Sequence, residues 1–323
     1  MYAHVLAAAG AGDPAGAANV GLFLLHGRGV AVDERAAVTW FERAAAKGHV
    51  GAMHCLGLSY EQGRGVVASD REAVKWFTRA AKGGNAESQN NLGMMLQAGR
   101  GVAADPREAF KWLMCAAGAG FSGAMFNVGK AYEEGRGVAA DAREAVKWYA
   151  RAAEAGEAVA QSVLGVCYAL GRGVAKDARA AAKWYARAAA AGHPAALVNL
   201  GVCYEKGDGV AADAASAVKL YARAAELGNA NAQFNLGLCY EKGKGVAVDA
   251  RAALDWYGRA AEQAHANALF NIGAMHADGV GTAADLAAAR HWLSRAAAAG
   301  HADAPGALAE IARAEAAAGG GGE

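Results

Sequence analysis

Several features are scarce in this 323-residue sequence, and each absence excludes a class of protein. No apolar run approaches the roughly 18 residues that a membrane-spanning helix needs, so we expect no membrane span in this chain. The net charge of +1 provides no overall field that would attract nucleic acid or anionic lipid. The sequence also lacks a nucleophile elbow, a P-loop and a supported metal-ligand pattern, so we expect no cofactor, no small-molecule substrate and no enzyme activity.

What the sequence does contain is a repeat of fixed length. All seven tryptophans share one position with a step of 36 residues, where Leu220 takes the eighth place. A glycine recurs with the same step, at Gly21, Gly57, Gly93, Gly129, Gly165, Gly201, Gly237 and Gly273. Such a period predicts a stacked array in which each unit contacts only its neighbours. We expect the tryptophans to be buried and to carry its stability.

Each unit is predicted to be a pair of helices joined by a glycine loop. Within residues 232–261, apolar residues recur at helical spacing on both sides of a G-x-G-V loop at 243–246. Asp249 then stands where a side chain caps the second helix. The predicted all-α array comprises a partial repeat over 1–12, eight 36-residue repeats over 13–300, a C-terminal capping helix over 301–316 and a disordered glycine-rich tail over 317–323.

The 5 cysteines are predicted not to form disulfides. Cys167, Cys203 and Cys239 occupy one position in successive repeats, about 10 Å apart by helix-packing distances. That separation exceeds the roughly 7 Å that a disulfide can bridge. Cys55 and Cys115 have no partner in their own repeats. This usage, and a start without the basic and apolar parts of a signal peptide, favours a cytoplasmic location without deciding the compartment.

The repeat resembles the Sel-1-like repeat, a relative of the tetratricopeptide repeat. Its pattern, A-x-x-x-L-G-x-x-Y-x-x-G-x-G-V-x-x-D-x-x-x-A-x-x-W-x-x-x-A-A-x-x-G, is matched over residues 232–264 except for Ala264 in place of the last glycine. A tetratricopeptide array would have about 34 residues per unit and no G-x-G-V insertion. The resemblance implies a right-handed α/α superhelical solenoid of helix-turn-helix repeats that serves as a scaffold or adaptor. Some secreted, disulfide-rich members are described as penicillin-binding or β-lactamase-like.

Three positions on the first helix of the repeat are the candidate partner-binding residues. At about 100° per residue, an asparagine position lies at the border of the packed stripe and two other positions face outward. The candidates are Asn91, Asn127, Asn199, Asn235 and Asn271, with Phe126, Phe234, Phe270, Glu133, Glu205 and Glu241. The amides either tie one helix to the backbone of the next or hold the main chain of a peptide. The phenylalanines either anchor a partner or are partly buried against the adjacent repeat.

These observations predict a non-catalytic scaffold that binds a partner protein or extended peptide through a concave groove lined by the first helices. The alternative from another class is a secreted penicillin-binding or β-lactamase-like repeat enzyme, which would show cysteine pairs within repeats and a reactive serine or acid pocket. A third alternative is a nucleic-acid-binding module, based on an arginine three residues after most of the tryptophans, such as Arg151 after Trp148. Local salt links and stacking on the aromatic rings explain those arginines better than nucleic-acid binding does, so we expect no nucleic-acid partner.

Overall fold

A computed structural model describes residues 2–319, and no strand occurs among them. The all-α repeat fold expected from the sequence is thereby confirmed. The helices are α1 (Tyr2–Gly10), α2 (Pro14–His26), α3 (Glu34–Ala46), α4 (Val50–Gln62), α5 (Asp70–Lys82), α6 (Ala86–Ala98), α7 (Pro106–Gly118), α8 (Ser122–Glu134), α9 (Ala142–Glu154), α10 (Ala158–Leu170), α11 (Ala178–Ala190), α12 (Pro194–Lys206), α13 (Ala214–Glu226), α14 (Ala230–Lys242), α15 (Ala250–Glu262), α16 (Ala266–Asp278), α17 (Leu286–Ala298) and α18 (Ala304–Gly319).

The repeats form hairpins, each with an even-numbered first helix and an odd-numbered second helix, from α2 with α3 to α16 with α17. By packing, the chain divides into two compact units. Unit 1 extends to Ala160 and includes Arg172–Val174, and unit 2 comprises Gln161–Gly171 and the residues from Ala175 onward. In both units a second helix also packs on the first helix that follows it, as α5 does on α6 and α13 on α14. Consecutive hairpins within a unit are therefore held side by side.

The G-x-G loop ends the first helix and brings the hairpin against the one before it. Gly243 ends α14 in the left-handed region, with φ of 67°, a conformation that glycine adopts at little cost. Gly245 has φ of 73°, and a Cβ there would overlap the backbone carbonyl of Ala214 at the start of α13. The second glycine is thus required for its backbone conformation and for contact between hairpins. Asp249 then caps α15 by accepting hydrogen bonds from its first turn.

The large buried side chain of the second helix belongs to the residue after the tryptophan, which corrects the expectation that the tryptophans are buried. Trp256 is half-buried, whereas Tyr257 is 0% exposed. The Tyr257 ring packs on Gly237 of the first helix, where a Cβ would lie 2.6 Å from ring atoms. The same pairing joins Phe41 to Gly21, Phe77 to Gly57, Leu113 to Gly93, Tyr149 to Gly129, Tyr185 to Gly165, Tyr221 to Gly201 and Leu293 to Gly273. The recurrent glycine therefore makes room for a large side chain between the two helices.

An additional helix packs at each end of the described chain. Helix α1 packs on α2, and α18 packs on α17. Ala304 and Ile311 of α18 are buried in the apolar clusters of the last hairpin. Helix α18 continues to Gly319, past the end expected at residue 316, and residues 320–323 of the predicted tail lie outside the described residues. We retain the partial repeat, eight repeats and capping helix as the proposed division of the chain.

Candidate functional site

The candidate residues of unit 2 lie on three successive first helices in the same register. We call the surface formed by these positions the α12–α16 face. In α14, Leu236 and Gly237 are buried, while the neighbouring Asn235 and Leu238 are half-buried and border solvent. The face consists of Val198, Asn199 and Val202 on α12, Phe234, Asn235 and Leu238 on α14, and Phe270, Asn271 and Ala274 on α16, all of them half-buried. It therefore combines amide and apolar groups that are partly accessible.

The asparagines of this face are not tied to the backbone of an adjacent helix. The side-chain amides of Asn199 and Asn235 form no hydrogen bond with any residue that the structure describes. The Asn271 side chain interacts with the hydroxyl group of Tyr257. Two of the three amides are thus available to a ligand, and each offers two N–H donors and one carbonyl acceptor. In unit 2, the interpretation in which the amides tie one helix to the backbone of the next does not describe Asn199 and Asn235.

The asparagines of unit 1 form a polar network between first helices. The Asn127 side-chain N–H on α8 donates to Oδ1 of Asn90 on α6, at 2.8 Å. Asn90 in turn donates to Oδ1 of Asn91, at 3.4 Å. The first helices of hairpins 3 and 4 are therefore joined through side chains. These amides tie one helix to the next, as one interpretation of the asparagines predicted. The acceptor, however, is an amide side chain and not the backbone.

The phenylalanines of unit 2 are partly buried against the repeat that follows. The Phe234 ring lies 5.6 Å from that of Tyr257 and stacks on His265, with centroids 4.7 Å apart. The Phe270 ring stacks on His301 at 4.1 Å with an interplanar angle of 5°. Because each histidine belongs to the turn after the hairpin, these rings contribute to the contact between repeats. Both rings are half-buried and form part of the α12–α16 face.

Phe126 and Glu133 are the corresponding candidates in unit 1. Phe126 is half-buried, and its ring lies 5.6 Å from the ring of Tyr149. The Tyr149 hydroxyl donates to Oε2 of Glu133 at 2.6 Å. Both candidates therefore contact the buried Tyr149 of the second helix, so each side chain has a contact within the protein.

The glutamates connect helices as well as facing solvent. The Tyr257 hydroxyl donates to Glu241 at 2.5 Å, and the Tyr221 hydroxyl donates to Glu205 at 3.0 Å. The Lys244 ammonium in the next G-x-G loop donates to the other oxygen of Glu205 at 2.8 Å. Burial tends to raise the pKa of Glu205, but hydrogen bonds from Lys244 and Tyr221 outweigh it, so the pKa is lowered. The separation of tyrosine and glutamate by 16 residues is a signal that the sequence analysis missed.

A second feature that the sequence analysis missed is the position three residues after the asparagine position of each repeat, which is Cys55 or Val163 in two repeats. It is apolar in seven of the eight repeats: Leu22, Leu58, Met94, Val166, Val202, Leu238 and Ala274, with Lys130 as the exception. Its side chains border solvent, and Leu22 is 37% and Met94 44% exposed. An apolar column beside the amide column was detectable from the spacing i, i+3. The apolar column provides a surface for the apolar side chains of a ligand, which the amide column does not provide.

The face of the second helices carries the tryptophan and arginine columns. The Arg259 guanidinium lies 4.4 Å from the centroid of the Trp256 ring. Five other pairs have the same arrangement, at distances from 4.5 to 4.7 Å: Arg43 on Trp40, Arg79 on Trp76, Arg151 on Trp148, Arg187 on Trp184 and Arg295 on Trp292. Cation–π stacking therefore accounts for most of this arginine column.

The described residues contain little else that points to chemistry. No disulfide joins the cysteines, and burial raises the pKa of Cys239 to about 11, which makes it an unreactive thiol at neutral pH. Within residues 2–319 no group of three or more His, Cys, Asp or Glu side chains is placed to hold a metal ion. Every described helix falls short of the length and apolarity that crossing a bilayer requires.

Comparison with known families assigns the repeat. The Sel1 repeat model matches the chain over 14–49, 50–85, 86–121, 122–157, 158–193, 194–229, 230–265 and 266–301. Its frame begins one residue after the predicted one, at residue 14 and not 13. The resemblance inferred from the sequence is confirmed.

Solved structures agree with this assignment. A protective antigen of uropathogenic Escherichia coli that displays an SLR fold is 33% identical, with a TM-score of 0.87, and the match covers 96% of this chain and 67% of that one. A Sel1 repeat protein from Oxalobacter formigenes is also 33% identical, with a TM-score of 0.74 and coverage of 95% and 90%. Curated proteins provide no match to the chain.

Proposed function

Because this chain belongs to the Sel1 repeat family, we propose that it is a scaffold or adaptor that binds an extended segment of a partner protein along the α12–α16 face. Solenoids of stacked helical hairpins present long surfaces that are generally used for protein interaction. This chain adds a specific arrangement of amide and apolar positions to that general property. The proposal assigns it no catalytic step and no nucleic-acid partner.

The observation that carries the proposal is the pair of amides without protein partners, Asn199 and Asn235. An extended peptide presents main-chain donors and acceptors at regular intervals of about 3.4 Å per residue. Asparagine amides can both donate to and accept from such a chain. Val202 and Leu238 lie one helical turn further on and are partly accessible, so they can contact alternate side chains of the same peptide. The face therefore suits an extended segment better than a folded, charged surface.

A paired affinity capture tests this assignment. The variant Asn199→Ala/Asn235→Ala removes both amides without deleting a buried apolar group. A matched control, Lys183→Ala/Lys219→Ala, changes two exposed side chains on second helices. We expect mass spectrometry to identify a protein captured by the wild type and the control but not by the amide variant. Peptides from that protein should then bind in a fluorescence anisotropy titration, and equal capture by all three forms would refute the proposed face.

The phenylalanines are less suitable for this test. Phe234 and Phe270 stack on His265 and His301, so their removal weakens contacts between repeats. We expect Phe126→Ala, Phe234→Ala and Phe270→Ala together to lower thermal stability as well as binding. Loss of capture in that triple variant would therefore not separate a binding defect from a folding defect. The amide variant avoids this difficulty because the Asn199 and Asn235 side chains that it removes make no hydrogen bond within the described chain.

A further inference from the structure

One hairpin of unit 2 has the tyrosine of the tyrosine–glutamate hydrogen bond but lacks the glutamate that accepts it. Tyr221 and Tyr257 each donate to a glutamate 16 residues earlier in the sequence. The residue 16 positions before Tyr185 is Ala169, which has no acceptor. Tyr185 is only 5% exposed, and its hydroxyl makes no hydrogen bond with the described residues. The hydroxyl oxygen is not among the fully buried atoms that lack a partner, so it reaches solvent and is accessible to a ligand.

Ala169 and Tyr185 line the same pocket, whose volume is about 430 Å³. Its apolar wall includes Leu170 and Val202, and its polar groups are Asn199, Lys176, Lys206 and Asp208. The Asn199 amide, which belongs to the α12–α16 face, also makes no hydrogen bond within the described chain. The pocket therefore joins two unused hydrogen-bonding groups at the border of the proposed peptide-binding surface.

The charges around this pocket differ from those of the next hairpin. There, the Glu205 carboxylate is bound by Lys244 of the following loop. The loop residue that is equivalent to Lys244 one repeat earlier is Asp208, so both the acid and its usual cation are replaced at this position. Lys176 and Lys206 supply the positive charge, and neither forms an ion pair with another described residue. With Asp208 included, the three side chains carry a net positive charge.

We propose that this pocket binds the carboxylate of a glutamate side chain from the partner, in the place that Glu205 and Glu241 occupy in the following hairpins. The Tyr185 hydroxyl and the Asn199 amide donate to the carboxylate, and Leu170 and Val202 contact its methylene groups. Burial raises the pKa of Tyr185 to about 12, so the hydroxyl keeps its proton at neutral pH. The pocket deepens the proposed function, on which it rests, by naming an acidic anchor residue in the bound segment.

An NMR titration of the full chain tests the pocket with defined probes. The probes are acetyl-Ala-Glu-Ala-amide, the matched glutamine peptide and free glutarate, each taken to tens of millimolar because ligands of this size bind weakly. We expect saturable shifts of the Ala169, Tyr185 and Asn199 amide signals with the glutamate peptide. The glutamine peptide should bind at least about tenfold more weakly, since a hydrogen bond to a charged group is stronger than one to a neutral group. Saturation by glutarate but not by the glutamate peptide would overturn the assignment to a partner side chain.

Two substitutions make the assignment specific. Ala169→Glu restores the acceptor that the following hairpins have, so it should preserve or raise thermal stability while abolishing binding of the glutamate peptide. Tyr185→Phe should weaken binding by about tenfold or more, whereas Tyr221→Phe, whose acceptor is present as Glu205, should not. Undiminished binding to Ala169→Glu, or to Tyr185→Phe if Ala169→Glu does not fold, would overturn the proposal.

The outcomes distinguish this inference from the proposed function. Partner capture that depends on Asn235, together with glutamate-peptide spectra that show no saturable shift, would overturn the pocket and leave the face standing. Saturable shifts that Ala169→Glu abolishes, together with capture that is insensitive to Asn235→Ala, would support the pocket and refute the extended face.

Discussion

Replacing Gly237 by alanine tests the glycine–aromatic contact on which the hairpins depend. A Cβ on Gly237 would lie 2.6 Å from Cδ1 and Cε1 of Tyr257, where ordinary contact begins at 3.4 Å. The ring cannot move aside easily, because Tyr257 is 0% exposed and its hydroxyl is bound to Glu241. The added methyl group therefore has to separate α14 from α15.

Two opposing effects set the magnitude. Alanine is favoured over glycine in a helix interior by about 1 kcal/mol. Overpacking a close-packed interior costs about 1 to 3 kcal/mol, and the upper part of that range applies to a ring held at both ends. We expect Gly237→Ala to lower the free energy of unfolding by about 1 to 2 kcal/mol. Gly258→Ala in α15 is the matched control, because a Cβ there meets nothing within 4 Å, and it should stabilise the protein by up to about 1 kcal/mol.

Urea unfolding followed by far-ultraviolet circular dichroism measures both variants through the shift in midpoint. Hydrogen exchange of α14 and α15 amides localises the effect, which matters because the chain has two units and global two-state unfolding is not assumed. In a Tyr257→Ala background the loss caused by Gly237→Ala should disappear, as a double-mutant cycle would detect. A Gly237→Ala protein as stable as Gly258→Ala would refute the reasoning.

Three further predictions follow from the same contacts. Trp256→Ala should cost about 1 to 2 kcal/mol, because the ring is half-buried, and Tyr257→Ala about 3 to 5 kcal/mol; equal losses in urea unfolding would contradict this order. Glu205 has a lowered pKa, so its stabilisation is present above the ordinary carboxyl pKa of about 4.3 and is lost as pH falls through the lowered value; the stability difference between wild type and Glu205→Gln should shrink over that range, and a constant difference would count against the ion pair. Burial lowers the pKa of His265, whose Nδ1 accepts a hydrogen bond from the first turn of α16, so stability should fall as pH drops below about 6.5; His265→Asn keeps a capping side chain and should reduce that dependence in melts between neutral and acidic pH, and an unchanged pH profile would show that the cap does not titrate.

Periodicity was enough to predict the helical hairpins, their loops and their caps. A glycine and an acid at fixed positions predict a helix end and a helix start from local conformation alone. Gly243 adopts the left-handed conformation that ends α14, and Asp249 caps α15. Such local requirements do not depend on the rest of the chain. The same periodicity did not reveal which aromatic residue is buried, because Trp256 and Tyr257 are adjacent and both lie near the packed side of α15.

The candidate site, too, was predicted only in part from the sequence. Asn199 and Asn235 were identified by their repetition, and their unused hydrogen-bonding groups became apparent only when their surroundings were known. Phe234 and Phe270 were expected to be either outward anchors or contacts between repeats, and the rings of His265 and His301 show that they contact the next repeat. Whether a side chain at the edge of a helix is accessible depends on the neighbouring repeat. Spacing along one helix does not contain that information.

By itself, the sequence determined a repeated pair of helices, its 36-residue length and its family, because these depend on local conformation and on periodic burial. The tertiary structure decided that Gly237 is small to admit Tyr257, that Glu205 joins a tyrosine to the next loop, and that Ala169 leaves the hydroxyl of Tyr185 without an acceptor. Each of these is a contact between residues on different helices. The distance between such residues is set by how the helices pack, and so it emerges only when the hairpins are assembled.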